Sequence, residues 1–103
     1  MKYREIYKAL ERRWQISPGF RFSDLSGWRN PRANRPVLCI VVEDRLSGLR
    51  VWLTQIGRDL SITYKKMDKQ GVCYGESVRI GCTNQKYMAQ ELDTLFAGTV
   101  KAA

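Results

Sequence analysis

The chain has 103 residues, of which 44% are hydrophobic and 27% charged, and it carries a formal net charge of +8 with no histidine. This length suits a single domain over residues 1–103, and the lack of histidine removes the commonest general base and the commonest zinc ligand. Since there is also no glycine-rich phosphate loop and no defensible nucleophile–base pair, the sequence indicates a binding protein that is not an enzyme and needs no cofactor or metal.

The first predicted element is a helix over residues 3–15. Its large apolar side chains recur at spacings of four, three and four, which is the period of one helix face. They are Tyr3, Tyr7, Leu10 and Trp14. We expect this stripe to pack in the core, and we expect Pro18-Gly19 to end the helix.

Residues 17–36 have no clear period and contain three prolines and two glycines, which predicts a long basic loop. The first 36 residues hold nine Lys or Arg but only three acidic residues, so most of the net charge lies there. The aromatic side chains Phe20, Phe22 and Trp28 are expected to anchor parts of the loop on the core. The alternative is a plain linker with solvated arginines.

From residue 37 onward the pattern favours strands over residues 37–43, 49–56, 60–66 and 72–82, separated by short turns. Short connections require antiparallel pairing. A second helix is predicted over residues 84–97, with Thr83 or Asn84 as its N-cap, Gly98 at its end and a frayed tail over 99–103. Its apolar stripe is Met88, Leu92, Leu95 and Phe96.

The predicted fold is therefore α+β, in the order α-β-β-β-β-α. It consists of a four-stranded antiparallel meander sheet with an N-terminal and a C-terminal helix. Both helices are expected to bury their apolar stripes on the sheet.

Turn lengths predict which residues of neighbouring strands are paired. A two-residue turn at Ser47-Gly48 would pair Val42 with Leu53. A turn at Gly57-Arg58 would pair Leu53 with Ile62, and a bulge near Gly75 would bring the last strand into register.

With these pairings, Arg45, Arg50 and Lys65 form one row on the outward face, beside a row that holds Glu43 and Trp52. Like charges in a row cost stability unless they meet water or an anion. An outward tryptophan is either a stacking platform or a residue covered by the first helix or the 17–36 loop, and the sequence leaves both open.

The function that this pattern favours is nucleic-acid binding, DNA included, by an arginine-rich loop and a basic, aromatic sheet face. Cationic groups would contact phosphates, and tryptophans would stack on bases. The candidate site residues are Arg29, Arg32, Arg35, Arg45, Arg50, Trp52, Lys65 and Trp28.

The alternative is a protein-interaction module, such as a small inhibitor or adaptor. Arginines bind carboxylates as well as phosphates, so the same residues would suit an acidic protein partner. Such a module could also form a homodimer through an edge strand, either residues 37–43 or residues 72–82.

The sequence also bears on location. Its longest apolar run, residues 37–42, is too short to cross a membrane, and the N-terminus shows no apolar signal region. The three cysteines, Cys39, Cys73 and Cys82, are odd in number and lack metal-type spacing, which favours reduced thiols. We therefore predict a cytoplasmic protein without membrane contact.

Overall fold

The computed structural model describes residues 3–28, 32 and 34–100, and only the backbone of residues 98–100. The described chain forms five consecutive strands, with one helix before them in the sequence and one after them. They are α1 (Arg4–Ile16), β1 (Arg21–Asp24), β2 (Leu38–Asp44), β3 (Leu49–Ile56), β4 (Asp59–Met67), β5 (Cys73–Cys82) and α2 (Gln85–Val100).

All five strands belong to one antiparallel sheet in the order β1-β2-β3-β4-β5. The α+β class and the meander are confirmed, but the predicted count of four strands is wrong. The additional strand, β1, lies in the 17–36 segment that was expected to be a loop. It has only four residues and is held by pairing with β2, so a local period could not reveal it.

The first strand also changes which strands are edges. β2 is enclosed between β1 and β3, so the expectation that residues 37–43 form an edge is wrong. β5 does lie at an edge, as predicted for residues 72–82. Among the described strands, the free edges are therefore the short β1 and the ten-residue β5.

Both helices pack on the same face of the sheet. Each strand sends alternate side chains to that face, and those of β2 and β3 are almost completely buried there. The resulting core contains Ile6 and Leu10 of α1, Met88, Leu92 and Phe96 of α2, and Leu38, Ile40, Val42, Val51, Leu53 and Ile62 of the sheet. The predicted stripe of α2 is thus confirmed, with Leu95 partly buried beside it.

The buried stripe of α1 differs from the prediction at its last turn. Trp14 is 65% exposed, whereas Arg13 is 6% exposed and faces the core. The Arg13 guanidinium reaches the fully buried carboxylate of Asp44 at 2.8 Å, and the Ser17 hydroxyl also donates to Asp44. Arg13 continues the buried stripe of Ile6, Ala9 and Leu10 at helical spacing, and Asp44 compensates its charge, so Trp14 lies outside this stripe.

The turn between β2 and β3 is longer than predicted. It spans residues 45–48, and the Gly48 N–H donates to the carbonyl of Asp44 at 2.9 Å. Val42 therefore pairs with Val51, and the predicted pairing of Val42 with Leu53 is wrong by two residues. An even shift keeps the same side chains on each face, so the assignment of faces survives this error.

The other strand pairings follow the prediction. Leu53 pairs with Ile62 across β3 and β4. The β4–β5 pairing is interrupted opposite residues 75–77, where Gly75 has a φ of +77°, which confirms the bulge. Asn84 caps α2 by accepting the Tyr87 N–H, but the helix continues past Gly98, which was expected to end it.

Candidate functional site

The face of the sheet opposite the helices is the candidate site, and we call it the open face. Its central row runs across all five strands through paired residues. They are Ser23, Val41, Trp52, Thr63 and Arg79. A second row toward one end of the strands holds Arg21, Glu43, Arg50 and Lys65, and a third toward the other end holds Cys39, Thr54, Ser61 and Gly81.

Trp52 occupies the centre of the open face. It is partly exposed and flanked across the strands by the smaller Val41 and Thr63. Neither described helix packs on this face, because both bury their apolar stripes on the other side of the sheet. Within the described chain, the alternative that the first helix covers Trp52 is therefore wrong.

The basic row differs from the predicted one in its composition. The four-residue turn removes Arg45 from the row and puts Glu43 directly opposite Arg50. Arg50 Nη2 lies 2.6 Å from Glu43 Oε1, and Arg21 Nη2 lies 2.9 Å from Glu43 Oε2. Instead of three like charges in line, the row contains a carboxylate shared by Arg21 and Arg50, with Lys65 beyond Arg50.

These contacts keep Glu43 ionised. Burial by itself raises the pKa of the Glu43 carboxyl, but the hydrogen bonds and charges of Arg21 and Arg50 outweigh it, so the pKa is lowered overall. Glu43 holds the two guanidinium groups in place and offsets one of their two charges. Neighbouring Lys65 lies outside ion-pair distance of any carboxylate in the described residues.

Arg45 remains close to this row although it lies in the turn. Its guanidinium donates to the carbonyl of Lys69 at 2.6 Å, and Arg50 donates to the carbonyl of Gly71 at 3.0 Å. A side chain at Gly71 would come within 3.0 Å of the Arg45 guanidinium. Arg45, Arg50 and Lys65 thus meet at one end of the sheet, which we call the basic end.

The predicted residues of the 17–36 segment lie elsewhere. Arg32 and Arg35 are exposed in the connection before β2, at the opposite end of the strands from Glu43. The seven residues of β2 separate the two ends by roughly 20 Å. Arg29 lies outside the described residues.

Trp28 is on the other side of the sheet from Trp52. It packs against the helix-side core, and its ring centre lies 6.1 Å from that of Tyr3. The expected anchoring of Phe20, Phe22 and Trp28 is confirmed, since the first is buried and the other two pack against the core. The structure thus gives Trp28 a packing role and separates it from the open face.

Two further cations share the open face and were not among the predicted site residues. Arg21 comes from β1, where the alternation of Phe20, Arg21 and Phe22 is too short a pattern to predict a strand by itself. Arg79 ends the central row and binds the Asp59 carboxylate at 2.7 and 2.8 Å, with both side chains more than half exposed. Exposed pairs of this kind contribute little to stability.

The other chemically active groups do not form a second centre in the described residues. No three His, Cys, Asp or Glu side chains there come together as a metal site, and no described helix is long and apolar enough to cross a membrane. Cys39, Cys73 and Cys82 are free and partly buried. Burial and the nearby Glu91 charge raise the pKa of the Cys82 thiol, with Arg79 opposing them.

Comparisons with known proteins give no relative for this chain. No family model, no curated protein and no solved structure matches it.

Proposed function

We propose that this protein is a cytoplasmic, non-catalytic nucleic-acid-binding module that holds a single-stranded segment on its open face. The observation that carries the proposal is the position of Trp52, which is partly exposed at the centre of a sheet face that neither described helix covers. An accessible aromatic ring on a sheet is a stacking surface for any base.

The charges around Trp52 support phosphate binding. Arg50 lies two residues from Trp52 on the same side of β3, which is about 7 Å along the strand. Lys65 is its partner on β4, and Arg45 lies at the same end. A base stacked on Trp52 would therefore leave its phosphate beside these cations. With Glu43 paired to two arginines, the basic end keeps an excess of positive charge.

The shape of the open face favours a single strand. The side chains beside Trp52 in its row, Val41 and Thr63, are shorter than an indole, and Trp52 is partly exposed between them. Bases in a duplex are stacked on each other and cannot reach a single ring on a sheet, whereas unpaired bases can.

The test is fluorescence anisotropy with a labelled twelve-nucleotide oligothymidylate. We expect Trp52→Ala to weaken binding about 5- to 150-fold, because loss of one base–aromatic stack costs about 1–3 kcal/mol. Trp14→Ala is the matched control, since Trp14 is exposed on α1 and away from the open face. Equal effects of the two substitutions would contradict the proposal.

A second pair of variants tests the charges. Lys65 and Lys66 are adjacent in sequence but lie on opposite faces of β4. We expect Lys65→Ala to weaken binding and to reduce the dependence of log affinity on log salt by about 0.7, while Lys66→Ala changes both much less. A salt-independent affinity, or equal effects at the two lysines, would contradict the proposed phosphate contacts.

A further inference from the structure

The free edge of β1 presents backbone groups that β2 does not use. The Leu25 N–H donates to the Cys39 carbonyl, and hydrogen-bonded pairs alternate along an antiparallel ladder. The pairs Ser23–Val41 and Arg21–Glu43 are therefore the hydrogen-bonded ones. It follows that the N–H and C=O of Phe22 point away from the sheet, toward the free edge.

An apolar cavity of about 270 Å³ lies beside this edge. It is lined by Trp14 of α1, by Phe20, and by Arg21 and Phe22 of β1. Tyr7 supports it from α1, with its ring centre 6.2 Å from that of Phe22 in an edge-on arrangement. The cavity is large enough for one bulky apolar side chain.

Trp14 is the unusual residue at this place. At 65% exposure it leaves a large apolar area in water, although tryptophan is generally well buried. Its neighbour Arg13 is held inward by Asp44, so Trp14 is fixed on the flank of α1 that borders β1. A groove thus runs between a helix flank and a free strand edge, which is a known geometry for binding an extended peptide.

We propose that this groove binds an extended acidic polypeptide segment as an additional strand beside β1. The backbone of the segment pairs with Phe22. One large apolar side chain enters the cavity beside Trp14, on the helix side of the sheet. The residues before and after it point to the open face, because side chains alternate along a strand.

Charge argues for acidic residues at those alternate positions. The side chain of Arg21 lies on the open face next to the free edge and is 72% exposed. It shares Glu43 with Arg50, so its charge is only partly offset and a further carboxylate would be attracted. A second copy of this chain would bring its own Arg21 and a net charge of +8 to the same place, which disfavours self-pairing there.

The experiment selects ligands for the full chain from a phage-displayed library of random twelve-residue segments. Expected binders alternate Asp or Glu with a large apolar residue. Trp14→Ala should weaken the binding of synthetic versions of them at least tenfold. The matched control is Ile16→Ala, since Ile16 is 67% exposed on the same helix end but lines a different cavity.

Hydrogen exchange supplies a readout of the backbone pairing. A bound peptide should slow exchange of the Phe22 amide without slowing that of amides on the β5 edge. Failure to enrich any binder, binders that tolerate Trp14→Ala, or protection at β5 in place of β1 would each overturn the proposal. Trp52→Ala should leave peptide binding intact, so this result is distinguishable from the test of nucleic-acid binding.

Discussion

The helix-covered face and the open face of the sheet are built from alternate residues of the same strands, yet they differ in what they bury. Val51 and Leu53 are fully buried under the helices, whereas Arg50 and Trp52, their neighbours in the chain, are only partly buried. The covered face buries its Arg13–Asp44 ion pair almost completely, while the charged groups of the open face are partly in contact with water. Stability should therefore depend mainly on the covered face, which leaves the open face available for binding.

The largest expected effect on stability comes from breaking the buried ion pair of the covered face. Asp44→Ala removes a carboxylate that is fully buried and leaves the guanidinium of Arg13, a residue that is 6% exposed, without this partner. We expect the free energy of unfolding to fall by about 3–5 kcal/mol, because an uncompensated buried charge is costly. Chemical denaturation monitored by circular dichroism measures the change.

A double variant controls for the loss of charge. Arg13→Met combined with Asp44→Leu replaces both ions by apolar groups of similar size, and we expect it to be much more stable than Asp44→Ala alone. If Asp44→Ala cost less than about 1 kcal/mol, this pair would not be the anchor that joins α1 to β2.

The second test compares adjacent residues on the two faces. Leu53→Ala should destabilise the protein by about 2–5 kcal/mol, since it leaves a cavity in the core. Trp52→Ala removes a larger side chain but is expected to cost only about 1 kcal/mol, because it loses cross-strand contacts on a face that water reaches. Thermal unfolding of both variants checks the ranking, and a larger cost at Trp52 would show that its face is covered.

The smallest effect concerns Glu43 on the open face. Its pKa is lower in the folded protein than in the unfolded chain, so its contribution to stability is present above the unfolded pKa and is lost as the pH falls through the folded pKa. We expect Glu43→Gln to reduce stability by about 1 kcal/mol at pH 7. The difference in stability between this variant and the unmodified protein should disappear well below pH 4, where Glu43 is protonated and therefore neutral like glutamine.

Asp59→Asn is the control variant for this pH series. Asp59→Asn affects an exposed pair with Arg79 and should change stability little at any pH. A Glu43→Gln effect that persists at low pH would mean that the carboxylate does not act through its charge.

Much of the fold could be predicted from local signals. The two helices, four of the strands and the bulge at Gly75 follow from apolar periods and turn residues, which act over short stretches of chain. The placement of Arg50, Trp52 and Lys65 on one face follows from the period of two in a strand. The error of two residues at the 45–48 turn left these faces unchanged, but it concealed the contact between Glu43 and Arg50.

The remaining features depended on contacts between distant parts of the chain. The sequence by itself determined the α+β class, the meander and the side-chain alternation, because these depend on periods and turns formed by residues close together in the chain. Only the tertiary structure decided that β1 pairs with β2, that Arg13 turns inward in place of Trp14, and that Trp28 is separated from Trp52. Each of these depends on a partner far away in the chain, such as Glu43, 22 positions from Arg21, or Asp44, 31 positions from Arg13. A local pattern carries no record of such a partner.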